Sequence, residues 1–208
     1  MLYQGTVQPR VLDVLRILME TRELDSFYLV GGTALSLYFG HRLSVDLDLF
    51  SIADFNNEAI IVPVEKKFPG FTYRNIHNPI GIFAFIDDIK VDFIKHHNHP
   101  MIAAPLIEDG IRLAGIPDLI AMKIAAIMKR AVKKDFWDIA ELLNYYTVEN
   151  LVQHYTKKYP SQQLLISVPY ALTYFIDAEE SETPVSLKGQ TWETVKKFIQ
   201  QKVNDYLQ

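Results

Sequence analysis

Two glycines and two aspartates, close together in this chain, are the residues whose types and spacing could do chemistry. Phe27-Tyr28-Leu29-Val30 is a short apolar run of strand-like composition that stops at Gly31-Gly32. A short helix follows, because Leu35, Tyr38 and Phe39 share a face, Thr33 can cap the first turn, and Gly40 suits a left-handed end. Helix starts present unpaired N–H groups and the positive end of the dipole, and glycines let a phosphate chain approach that backbone closely. Gly31, Gly32 and Thr33 are therefore expected to grip phosphate oxygens. Val45-Asp46-Leu47-Asp48-Leu49-Phe50 then alternates, so as a strand it points Asp46 and Asp48 to one side and Val45, Leu47 and Leu49 to the other. The two carboxylates fall about 6.6 Å apart along such a strand. They offer hard oxygen ligands to magnesium or manganese, with room left for phosphate and water. A glycine pair by itself usually marks an ordinary turn, and edge strands also carry charge; the two features in close succession favour the metal reading.

A third carboxylate is Asp92, in the run Ile89-Lys90-Val91-Asp92-Phe93-Ile94-Lys95. Alternation puts Val91 and Phe93 on one face and Lys90, Asp92 and Ile94 on the other, and from this segment alone a solvated sheet face is an equal reading. His96, His97 and His99 come next, but Pro100 breaks the element and no distant ligand suggests itself, so a solvated or RNA-facing loop is favoured over a metal site.

Gly31-Gly32-Thr33 followed by Asp46-x-Asp48 resembles the first motif of the nucleotidyltransferase superfold. The fuller form, GGTAL and then HRLSVDLDLF, is similar to the AbiEii/AbiGii type of abortive-infection toxin. Lys123-x-x-Ala126, Arg130 and Lys134-Asp135-x-x-Asp138 look like that group's second signature, whose helical part contributes a lysine and an aspartate to the site. The resemblance implies that Asp46, Asp48 and Asp92 hold two metal ions. It also implies that Lys123 and Asp135 are catalytic, and that Ser44, Lys123 and Arg130 join the glycine turn in binding nucleotide. A basic side chain reaching from one lobe to a triphosphate held by the other would neutralise its charge, and Lys123 is the candidate, with Lys129 expected to point elsewhere.

The elements that must position these residues read as an α+β protein. An N-terminal mixed sheet with flanking helices is expected over residues 1–112, and a helical lobe over 113–208, with the boundary in the segment from Gly110 to Pro117. Helices are expected over 9–22 and 56–67, the latter interrupted by Pro63, and strands over 71–77, 81–86 and 89–95. Two amphipathic helices within 118–143 carry the second signature, and further helices are expected near 147–158, 161–177 and 191–207. Lys129, Arg130, Lys133 and Lys134 form the densest basic cluster.

With 49% apolar and 22% charged residues in 208, the chain has ordinary globular composition and room for a sizeable core. No cysteine is present, which excludes a disulfide framework, a thiolate zinc site and a thiol nucleophile, and fits a reducing cytoplasm. Asp13, Arg16 and Glu20 break the N-terminal apolar run, so it reads as neither a signal peptide nor a membrane span. A net charge of -4 means that any RNA site must be local.

Together these features point to a metal-dependent nucleotidyltransferase that moves NMP from an NTP to a hydroxyl. The resemblance implies a toxin paired with an antitoxin and a tRNA or other cellular target, a protein included. Modification of a small antibiotic is a second reading, and a non-catalytic nucleotide- or RNA-binding module a third.

Overall fold

A computed structural model describes residues 1–163 and 165–208. Among the described residues, the seven strands β1 (Phe27–Val30), β2 (Leu47–Ser51), β3 (Phe71–Tyr73), β4 (Gly81–Ile86), β5 (Ile89–Lys95), β6 (Leu106–Glu108) and β7 (Ile111–Leu113) form one mixed sheet in the order β3-β4-β5-β2-β1-β7-β6. Its middle is β2 (Leu47–Ser51), antiparallel to β1 (Phe27–Val30) on one side and parallel to β5 (Ile89–Lys95) on the other. Within β2, Leu47, Leu49 and Ser51 are buried and Asp48 and Phe50 half-buried, the period of two that its alternation predicts. The strand begins one residue after Asp46, and Val45, expected on the inner face, is exposed.

The helix α2 (Gly31–Phe39) starts at Gly31 itself, held at a φ of 70° that disfavours residues with a Cβ, and ends at Gly40 in the left-handed region. Thr33 does not cap it, since the threonine hydroxyl is engaged with Ser44 and with the backbone carbonyl of Asp46. The N-terminal helix α1 is Pro9–Met19, shorter than expected because a separate 3-10 turn occupies Arg22–Leu24. α3 (Asn57–Lys67) is capped by the Asn56 side chain, and Pro63 sits inside it without ending it.

β3 is only Phe71–Tyr73. The rest of the strand expected to reach residue 77 turns instead, because the Asn75 and Asn78 side chains accept from the N–H groups of His77 and Ile80. β4 (Gly81–Ile86) and β5 pair as expected. The stretch read as a lobe boundary, Gly110 to Pro117, contains β7 (Ile111–Leu113), which forms a hairpin with β6 (Leu106–Glu108) through Asp109 and Gly110 at φ 53° and 76°. β7 joins β1 in parallel, so the sheet runs on to the start of α4 (Ile116–Arg130).

The C-terminal helices are α4, α5 (Lys133–Leu142), α6 (Val148–Lys158), α7 (Val168–Thr173) and α8 (Trp192–Leu207). Leu164, within the helix expected over 161–177, lies outside the described residues; of the remainder only α7 is α-helical, with Ser167 capping it. α6 and α8 each begin with a capping box, Thr147 with Asn150 and Thr191 with Thr194. α2 packs on β1 and β2 and also meets α4 and α5, so the buried side chains of sheet and helices form one continuous core.

Candidate active site

Parallel pairing of β2 with β5 places Asp48 directly opposite Asp92, and register partners on neighbouring strands share a face of the sheet. Burial pushes the Asp48 carboxyl above its ordinary range; Lys90 opposes this, and the charges of Asp92 and Asp46 add to it. Asp92 is 7% exposed, not on a solvated face. Lys90 donates to its Oδ2, while its Oδ1 is buried without a partner. Asp46 accepts from Lys134 Nζ at 3.3 Å. An unpartnered buried carboxylate oxygen beside a carboxyl that resists ionisation is a donor set suited to a divalent cation with hard oxygen preference. In the present arrangement, no three His, Asp or Glu side chains among the described residues converge into a ready metal cage, because Asp46 and Asp92 each lean toward a lysine.

Each glycine of the turn makes room for a side chain of the site. A Cβ on Gly31 would lie 2.3 Å from Asp48 Oδ2, and one on Gly32 would lie 2.1 Å from Arg42 Nη2. The hydroxyls of Thr33 and Ser44 bond each other at 2.8 Å, and both residues are buried. Both residues line the cleft, and in this arrangement their hydroxyls are engaged with each other and, for Thr33, with the Asp46 carbonyl, which ties α2 to the loop that aims Asp46.

Behind this turn lies a buried ionic network. Asp138 accepts from Arg42 Nε at 2.7 Å and Nη2 at 2.9 Å, from Lys123 Nζ at 2.7 Å, and lies 2.7 Å from His41 Nε2. Lys123 Nζ also reaches Asp135 Oδ1 at 2.9 Å, and Arg130 Nε reaches Asp135 Oδ2 at 3.3 Å. Burial opposes every one of these charges, and the partners outweigh it. Asp138 is held well below the usual carboxylate range by Arg42, Lys123 and His41, and Asp135 is lowered by Lys123 and Arg130. Lys123 and Arg42 are correspondingly raised.

The cleft itself has a volume of about 470 Å³. One wall carries Gly31, Asp46 and Asp48; the facing wall, from α4 and the start of α5, carries Lys129, Arg130 and Lys134; Phe50, Met122 and Tyr159 give it an apolar part. Several expectations change here. Lys123 borders the cleft but is 5% exposed, its ammonium held between two aspartates instead of projecting toward a triphosphate. Lys129, expected to point elsewhere, lines the cleft. Asp135, expected to be catalytic, is fully buried out of reach of a reactant and paired with Lys123 and Arg130. Asp92 stands beside Asp48 outside the lining.

His96 packs on the Phe50 ring, and burial with Lys158 pushes its imidazole down to about 3. Sequence reasoning missed His41 and Arg42 as parts of the site, and quoted Asp138 within the second signature without giving it a role. The signal was a His-Arg pair directly after a helix-ending glycine and a few residues before the acidic strand.

The comparisons with known proteins agree with this geometry. Residues 13–77 and 83–190 match the family described as nucleotidyl transferase AbiEii toxin, type IV TA system. An uncharacterised protein of Aquifex aeolicus (strain VF5) is 33% identical over 191 residues, which cover 88% of this chain and 89% of that one. A Helicobacter pylori protein provisionally assigned as a nucleotidyltransferase shares the fold at TM-score 0.59 and 16% identity, over 97% of this chain and 99% of that one. MenT4, a nucleotidyltransferase toxin from Mycobacterium tuberculosis H37Rv, shares it at TM-score 0.56 and 15% identity, over 92% and 80%. With the glycine turn, the acidic strand and the buried helical signature assembled around one cleft, the chain belongs to the AbiEii nucleotidyl transferase toxin family.

Proposed function

We propose that the protein transfers a nucleoside monophosphate from an NTP to a hydroxyl of a cellular acceptor, with tRNA as the favoured class. The observation that carries this reading is the opposition of charge across one cleft: carboxylates on the sheet wall, and Lys129, Arg130 and Lys134 on the helical wall. The cations suit the β- and γ-phosphates and the leaving pyrophosphate, whose charge grows as the acceptor oxygen bonds the α-phosphorus and the bridging oxygen departs. The first N–H groups of α2, at Gly31 and Gly32, face the same chain of phosphates. Phe50, Met122 and Tyr159 offer the nucleobase an apolar seat.

Asp46, Asp48 and Asp92 would hold magnesium or manganese, which when bound lowers the pKa of an acceptor hydroxyl and neutralises phosphate charge. The network around Asp138 keeps Arg42 pressed on Gly32 and fixes the turn before substrate arrives. Lys123 and Asp135 serve as positioning residues that hold α4 and α5 in register behind the cationic wall.

The family description supports a cognate antitoxin, and an NTP with a tRNA acceptor would fit a cytoplasmic reaction. Among the described residues no helix is long and apolar enough to cross a membrane. The test is incubation with magnesium, each α-labelled NTP, and total tRNA, cell protein or a panel of hydroxylated antibiotics. Label entering tRNA supports the reading, and label confined to an antibiotic replaces it with the small-molecule alternative. Nucleotide binding without pyrophosphate release replaces it with a binding module.

A further inference from the structure

A second cavity, of about 320 Å³, adjoins the first, and Tyr159 lines both. It lies between the Asn98–Pro100 segment after β5 and the end of α6 with the turn that follows. Its floor is fixed. Lys158 is buried and donates to Asp118 Oδ1 at 2.7 Å and to the Pro100 carbonyl at 3.2 Å, while Asp118 also accepts from the N–H groups of Ile102 and Ala103. That carboxylate is therefore consumed.

Lys157 is exposed at the rim, and no carboxylate pairs with it among the described residues. Lys157 therefore gives the rim a positive charge although the chain is net -4. Burial and then Lys158 depress His96 and His99, and burial and then Lys157 depress His154. The rest of the lining is the Tyr159 ring with His99 against it at 4.8 Å, Pro100 and Pro160, the amide-bearing Asn98 and Gln162, and Ser161.

A single cation, flat apolar faces and two amides in a space at the lower end of ligand-pocket volumes match one nucleotide of an unpaired strand. The phosphate takes the ammonium, the base stacks, and its edge meets the amides. We infer that this pocket is the acceptor subsite, seating the terminal nucleotide of a single-stranded polynucleotide so that its hydroxyl end passes Tyr159 into the main cleft. The word acceptor rests on the nucleotidyl-transfer reading; the binding of an unpaired nucleotide does not. It also gives a role to the histidine-rich segment after β5.

The test is fluorescence anisotropy of a short 5′-labelled oligoribonucleotide with a free 3′-hydroxyl, and of the matching oligodeoxyribonucleotide, titrated without NTP at several salt concentrations. Wild type is compared with Lys157→Gln, Gln162→Ala and, as a control on α8, Lys197→Gln. All three residues are exposed, so the fold is not at risk. Lys157→Gln is expected to weaken binding about tenfold and to lower the slope of log affinity against log salt by about one, as loss of one phosphate contact does, with Lys197→Gln unchanged. Gln162→Ala is expected to weaken binding without altering the slope. Tighter binding of the RNA arm assigns RNA, and equal arms assign unpaired strands generally; both keep the subsite. Equal effects of Lys157→Gln and Lys197→Gln overturn it, as does a wild type that binds neither oligonucleotide while labelling protein. If Lys157→Gln loses binding but no polynucleotide ever takes label, the pocket stands as a nucleotide site and the transfer reading fails.

Discussion

Asp138 chelates the guanidinium of Arg42 across 96 residues of sequence, through Nε at 2.7 Å and Nη2 at 2.9 Å, and both side chains are buried. Breaking a buried pair from one side leaves a charge without compensation, typically at about 3–5 kcal/mol. Asp138→Asn is therefore expected to lower unfolding free energy by that order in urea titrations at neutral pH. The carboxyl is depressed in the folded state, so its contribution is complete above the unfolded carboxylate value of about 3.9 and is lost as pH falls from there toward the folded value. Wild type should lose stability over that acid window and Asp138→Asn should lose less of it; parallel curves would contradict the assignment.

Gly32 is a glycine because Arg42 lies against it, so Gly32→Ala should destabilise even though the residue lies in a helix, where alanine is ordinarily better. The loss should shrink in an Arg42→Lys background, whose shorter head leaves room for the methyl group. A double-mutant cycle by thermal unfolding checks this, and additive effects would show that the two positions do not touch.

Much of this site was legible in the sequence, and the reasons differ residue by residue. Asp48 showed itself through strict alternation, because only one side of β2 could be apolar. Gly40 showed itself as a helix end, since few residues tolerate its φ of 66°. The roles of Lys123 and Asp135 were misread because helical spacing tells which side chains share a face but not whether that face meets a cleft or another helix. Arg42 was missed for a related reason: its partner Asp138 is remote in sequence, and nothing in a loop residue's type announces a buried pair. The β6–β7 hairpin was not anticipated, and β7 fell within the stretch read as a lobe boundary, because its strands are three residues each, too short for periodicity to register.

The two lysines of α4 should separate cleanly. Lys129→Ala, on the cleft wall, is expected to raise the KM for NTP about tenfold with little change in melting temperature, as loss of one charge-assisted phosphate contact does. Lys123→Ala, between Asp135 and Asp138, is expected to act mainly on stability, by about 3–5 kcal/mol. Steady-state kinetics and urea unfolding on both variants check this; a stable Lys123→Ala protein with a raised KM would return Lys123 to the phosphate.

Asp48 should show the opposite stability behaviour from Asp138. Its carboxyl is raised by burial and by Asp92 and Asp46, so folding favours the protonated form, and the ionised form disfavours folding once pH exceeds the unfolded value. Without divalent metal, Asp48→Asn is therefore expected to keep or raise the melting temperature at neutral pH. A fall of several degrees would mean that the carboxylate is structural.

The same substitution tests the central claim most directly. Transfer of α-label from NTP to acceptor, with pyrophosphate release measured alongside, is compared between wild type and Asp48→Asn in magnesium. The account predicts that label and pyrophosphate appear together in wild type, and that both fall by at least ~100-fold in a variant whose melting temperature is intact. A folded Asp48→Asn protein transferring at the wild-type rate would contradict it.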